Sequence, residues 1–118
     1  MAHRLDPDDE MQRMILRKSE ATAKGGPAYE RLLRIAETRD SGQVQRIALF
    51  IASTYDGEAF PFDPFELRAV DENIADDMML CLNALRWGQV DLDRLVPDGA
   101  RRVRAVIEQW GLRWPDKP

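Results

Sequence analysis

The sequence predicts an all-α fold, a compact single domain built as a bundle of four to six helices. Three observations carry that expectation. Apolar residues recur at the three-to-four spacing of an amphipathic helix in several separate stretches. Ser, Asp, Pro and Gly stand at the ends of those stretches, where helix starts and stops need them. No alternating strand pattern of useful length and no internal repeat occurs. At 118 residues, with 44% hydrophobic and 32% charged side chains, the chain has the size and composition of one globular domain.

Asp6 followed by Pro7 has the form of an N-cap with proline at the first helical position, and Asp8, Asp9 and Glu10 place negative charge on the positive end of the helix dipole. A first helix over 7–24 follows, stopped by Gly25 and Gly26. Its apolar stripe of Met11, Met14 and Ile15 is thin, so segment 1–26 is expected to pack loosely or only against a partner. Residues 27–112 then form the helical core domain and 113–118 a C-terminal tail. Within the core, Pro27 opens a helix to Thr38 with Tyr29, Leu32, Leu33 and Ala36 inward. Ser41 caps a helix to Tyr55, where Val44, Ile47, Ala48, Phe50 and Ile51 cover one broad side before Asp56-Gly57 breaks the pattern.

Phe60-Pro61-Phe62-Asp63-Pro64-Phe65 is too rich in proline for a central strand, and Asp63, Pro64 and Glu66 have the cap, first-position proline and capping-box spacing of a short turn over 64–69. Asp71 caps a long helix, to Trp87, with Ile74, Met78, Cys81, Leu82 and Leu85 on the inner face and Gly88 as its stop. Leu92, Leu95 and Val96 make a short apolar patch. Asp98 caps a last helix to Trp110, with Val103, Val106, Ile107 and Trp110 inward, and Gly111-Leu112 reads as a left-handed C-cap with a trailing hydrophobic contact.

From Ala28 to Trp110 the chain resembles a family of small proteobacterial proteins of unknown function carried on plasmids and integrative or conjugative elements. The matching stretches are AYERLLRIA, SGQVQRIALFI and FDPFELRAVDENIADDMM, of which VDENIADD at 70–77 is the most specific. Ala52-Ser53-Thr54-Tyr55 stands where the family pattern carries tryptophans. The resemblance implies a compact helical domain in a mobile-element setting and transfers no catalytic or binding residue.

Charge and motif content narrow the chemistry. A net charge of −4 argues against a sequence-blind grip on nucleic acid, which needs basic clusters to displace counterions. The charge is also polarised: residues 56–98 hold eleven acids against three arginines, and the rest of the chain ten acids against fourteen bases. The single cysteine, Cys81, cannot form an internal disulfide, the N-terminal residues show no apolar signal run, and no stretch approaches the roughly 20 apolar residues of a membrane span, so a cytoplasmic setting is expected.

No metal-ligand set, cofactor motif or phosphate-binding glycine loop is present. Glu72 and Asp76, at i and i+4, are the nearest thing to a Mg²⁺ pair, but a hydrolase needs a second pair and the neighbouring helix offers only Glu30 and Glu37, seven apart. His3, the only histidine, sits at the terminus, and Cys81 falls on an apolar helix face where cysteine behaves as a small hydrophobe.

The candidate partner-binding residues are the aromatics Phe60, Phe62 and Phe65, the acidic Asp76 and Asp77, and the basic Arg101, Arg102 and Arg104. The aromatics are read first as a lid folded onto the core, the arginines as a solvated face that pairs with the acidic middle. No catalytic residue is assigned. The reading is a non-enzymatic protein-interaction module, an accessory protein of a mobile genetic element, with a protein partner or a second copy rather than nucleic acid or membrane on its surface. The alternative is an acidic inhibitor or mimic acting on nucleic-acid-binding or defence machinery, and a metal-dependent hydrolase stands third.

Overall fold

The computed structural model describes residues 7–115; the Asp6 cap, His3 and Lys117 lie outside the described residues. The elements run α1 (Pro7–Thr38), α2 (Gly42–Tyr55), a 3₁₀ turn at Pro64–Arg68, α3 (Glu72–Trp87), a second 3₁₀ turn at Leu92–Leu95, and α4 (Gly99–Gln109). Among the described residues there is no strand, so the all-α single domain predicted from the sequence is what forms.

The first finding is a correction. Gly25 and Gly26 do not stop a helix: α1 runs unbroken for 32 residues, with Pro27 inside it. The reason is packing. α1 and α3 lie antiparallel along the longest interface of the molecule, with Arg17 beside Trp87, Thr22 bonded to Gln89 and Arg31 bonded to Asp77. At Gly25 the two helices come so close that an added Cβ would lie 2.4 Å from the Ala84 Cβ and 3.3 Å from the Leu80 carbonyl oxygen. Glycine is there to let two backbones meet. Its weak helix propensity and the hydrogen bond forfeited at Pro27 are overridden because Ala21, Gly25, Gly26, Ala28 and Tyr29 are all buried on either side of that point.

The core gathers Tyr29, Leu32 and Leu33 of α1, Ile47, Phe50 and Ile51 of α2, Met78 and Cys81 of α3, and Val103, Val106 and Ile107 of α4. Burying one such side chain fully contributes about 1.5–3 kcal/mol. The Leu92–Leu95 turn touches all four helices, with Leu92 and then Val96 buried beneath it. Tyr29 is sealed in, and its hydroxyl donates to Thr54 Oγ1 at 2.8 Å, since the Thr54 hydrogen is committed to the Ile51 carbonyl at 2.7 Å. The end of α1 is closed by α4: the Ala36 carbonyl accepts from the Trp110 indole at 3.0 Å and from the Gln109 amide at 3.3 Å.

On α3 the expected inner face holds for Ile74, Met78 and Cys81 but not for Leu82 and Leu85, which are 36% and 45% exposed. Close approach at Gly25 admits only a small residue opposite, so the contact passes to Ala84 and the two leucines turn outward. The starts of α2, α3 and α4 fall where expected, yet several caps work differently. Asp63 does accept from the Phe65 amide at 3.0 Å. The Asp71 carboxylate instead accepts from Gln43 Nε2 at 3.2 Å while the Gln43 carbonyl takes the Asp71 amide, tying the start of α3 to α2. Asp98 adopts φ +53°, outside the extended geometry a capping side chain needs, and its carboxylate pairs with Arg101. Ser41 makes no side-chain cap bond. The stops hold: Gly88 and Gly111 take φ of +62° and +68°, and the Leu112 amide returns to the Ile107 carbonyl.

Two neighbouring glycines should therefore respond differently. Gly25→Ala is expected to destabilise by about 1–3 kcal/mol through overpacking against Ala84. Gly26→Ala, whose new Cβ meets Leu95 at an ordinary 3.5 Å, gains helix propensity but sets that Cβ against the Pro27 ring, which disfavours helical backbone in the residue before it, so its stability should change by less than about 1 kcal/mol. Urea unfolding of both variants, and of Gly25→Ala combined with Ala84→Gly, which should regain part of the loss, checks the contact.

Candidate interaction surface

The aromatic segment is set by the end of α2. The Asp56 carboxylate accepts from the Ala59 amide at 3.1 Å and the Asp56 carbonyl from the Phe60 amide at 2.9 Å, a turn that folds the chain back over the core. Phe60 is buried and meets Trp114 edge-on at 4.7 Å, and Phe62 meets Phe50 edge-on at 5.4 Å. Phe65 points outward, 70% exposed, with the Arg68 guanidinium 6.0 Å from its ring centre. The structure thus divides the three: two act as a lid and one faces solvent. Beside Phe62, an apolar cleft of about 270 Å³ opens between Phe50, Pro64, Leu67 and the outward-turned Leu82.

The charged candidates are divided in the same way. Asp77 is held by a two-pronged pair with Arg31 at 2.8 and 3.0 Å, while Asp76 is exposed. Arg101 reaches Asp98 at 3.3 Å and Arg104 is exposed, but Arg102 turns inward. Its guanidinium donates to both oxygens of Glu37 at 3.0 and 2.8 Å, to Glu30 at 2.6 Å and to the Pro97 carbonyl at 3.2 Å. The seven-residue spacing of Glu30 and Glu37 is two helical turns, so both carboxylates share one face of α1 and the α4 arginine sits between them. The hydrogen bond from Arg102 holds the Glu30 carboxyl below its ordinary value, and the two carboxylates push the Arg102 guanidinium upward. Glu66 of the acidic middle is likewise engaged, by Arg46.

The structure places the candidate nucleophile and the nearest carboxylate pair apart. Cys81 is buried with its Sγ 3.9 Å from the Gly25 carbonyl oxygen, and burial, aided by Asp77, pushes its thiol up to about 12. Glu72 and Asp76 are both exposed at the start of α3, and no group of three or more His, Cys, Asp or Glu side chains is placed to hold a metal ion. No helix among the described residues is long and apolar enough to cross a membrane.

The surface that the candidate residues missed is on α1. Residues 7–17 are all exposed, because the helix outruns α3 and projects past Trp87. On this projection Met11, Met14, Ile15 and Leu16 are 57–62% exposed. By helical spacing Met11, Met14 and Ile15 continue the face on which Ala21 and Gly25 pack against α3. With Pro7, Glu10, Lys18 and the Trp87 ring they line a groove of about 350 Å³. The signal was in the sequence as the thin 11, 14, 15 stripe, which had a helix but no partner.

Residues 26–111 match the family of unknown function DUF7673, and the chain belongs to it. No curated protein and no solved structure matches the chain. The projecting half of α1 precedes the matched span.

Arg102→Gln should cost about 1–3 kcal/mol at pH 7, because it leaves two carboxylates facing each other with the guanidinium gone. The depressed Glu30 carboxyl makes this contribution complete above its ordinary value of 4.5 and lost as pH falls through the lower folded value. Denaturation at pH 7 and pH 3 should show the gap between wild type and Arg102→Gln narrowing in acid. Cys81 in the folded protein should resist a thiol reagent that labels it at once in denaturant, which timed labelling at pH 8 checks.

Proposed function

We propose that this chain is a non-enzymatic protein-interaction module, an accessory protein of a mobile genetic element as its sequence resemblance implies, and that it engages protein through the projecting half of α1. One observation carries the reading: a helix clamped rigidly along its C-terminal half presents Met11, Met14 and Ile15 to solvent as a continuation of its own buried stripe. Soluble domains seldom leave such an apolar face uncovered. Charged neighbours Glu10, Arg13, Arg17 and Lys18 rim it, the arrangement of apolar centre and polar border that protein interfaces share. Because the helix is already formed, binding orders little and loses little entropy. The acidic-mimic reading draws less support, since Asp77 and Glu66 already bond to Arg31 and Arg46 within the fold.

The test is affinity capture from the native host with wild type, with Met14→Glu/Ile15→Glu and with Leu82→Glu at the Phe62 cleft. The seam variant should lose bound protein while keeping its circular dichroism and melting temperature, since those side chains add nothing to the core. Undiminished capture by the seam variant, or loss only in Leu82→Glu, would overturn the assignment.

A further inference from the structure

We propose that the occupant of the α1 seam is a second copy of this chain, laid antiparallel across the first; this rests on the interaction reading above and names its partner. The argument begins with register. Met11, Met14 and Lys18 stand three and four apart, the a and d spacing of a helix pair, with Pro7 one step earlier on the same line. A two-fold axis near residues 12 and 13 sets Met11 of each copy against Met14 of the other and makes the seam its own complement.

Charge then chooses the orientation. Glu10 and Arg17, one heptad apart, lie on the same flank of that seam. In an antiparallel pair with Met11 opposite Met14, the same flank meets itself, and Glu10 of each copy falls beside Arg17 of the other. The two-fold axis makes that pair twice. In a parallel pair, Glu10 would face Ile15 and Arg17 would face Thr22, with no opposite charge to meet. A partner of unrelated sequence has no reason to repeat this match; a second copy carries it by construction.

The setting is permissive. Arg17 is exposed and lies over the Trp87 ring at 5.4 Å, so its guanidinium stands at the end of the groove, where the first turn of the second copy arrives. Residues 7–17 carry no buried side chain, so a helix can lie along them without displacing anything from the core. The contact is short beside the roughly 800 Å² per partner of a standard interface, so a weak, concentration-dependent dimer is expected.

Sedimentation velocity of the full chain across a concentration series tests this. Wild type should pass from monomer to dimer, and Met14→Glu should remain monomeric with an unchanged circular dichroism spectrum. Glu10→Arg and Arg17→Glu should each weaken the dimer roughly tenfold, since each places two like-charge contacts where two pairs stood. An equimolar mixture of these two variants should recover wild-type affinity. In the mixed dimer one contact is the native Glu10–Arg17 pair, and the other is the same pair with its two signs exchanged. A concentration-dependent dimer that the charge reversals leave intact, or that mixing does not restore, overturns the antiparallel seam. Wild type that stays monomeric throughout also overturns it. In that case host capture that is lost in Met14→Glu/Ile15→Glu leaves the interaction reading standing with a different partner, and unaffected capture removes both.

Discussion

The close approach of α1 and α3 at Gly25 and Ala84 is the constraint on which the other features turn. Two helices can meet this closely only where neither carries a side chain larger than a methyl group, and that requirement explains an otherwise odd residue choice in the middle of a long helix. It also fixes the rotation of α3, which sends Leu82 and Leu85 outward and turns Cys81 inward against the Gly25 carbonyl. Because α1 is gripped from Ala21 to Ala36, the rest of it is carried past the bundle as a stiff extension.

Against this apolar seam stands a polar one. Arg102 reaches from α4 into a cleft between two carboxylates of α1, and its four hydrogen bonds leave the guanidinium well satisfied at 13% side-chain exposure. Such a group adds orientation as much as free energy, since a planar fork accepts two carboxylates only in one geometry. Together with the Trp110 and Gln109 bonds to the Ala36 carbonyl, it sets where α4 lies on α1. Two acids of the 56–98 stretch are tied to arginines outside it, Asp77 to Arg31 and Glu66 to Arg46, whereas Arg102 pairs with Glu30 and Glu37, which lie outside that stretch as it does.

Much of this was legible before any coordinates. The apolar spacing in 42–55, 72–87 and 99–109 names those helices and most of their buried residues, because periodicity reports burial directly. Glycine in 25–26 was misleading since its two uses, ending a helix and letting another backbone approach, look alike in one dimension. Leu82 failed for a related reason: it is apolar and close to the inner face, but the contact selected small residues over large ones. Glu30 and Glu37 could be seen to share a face, yet nothing in their spacing says that the group between them is an arginine 65 residues beyond Glu37 rather than a metal. Among the candidate site residues, Phe60, Phe62, Asp77 and Arg102 are held largely within the fold, while Phe65, Asp76 and Arg104 face solvent.

The projecting half of α1 also separates two properties that most small domains must encode in the same residues. A change at Met11 or Ile15 touches nothing that holds the bundle together, so it passes unfiltered by the demands of folding. The bundle spanning 26–111 can in turn accumulate compensating core changes without disturbing what the extension presents. The chain is built so that natural variation can change the exposed face of the extension, gradually or abruptly, while its architecture stands still.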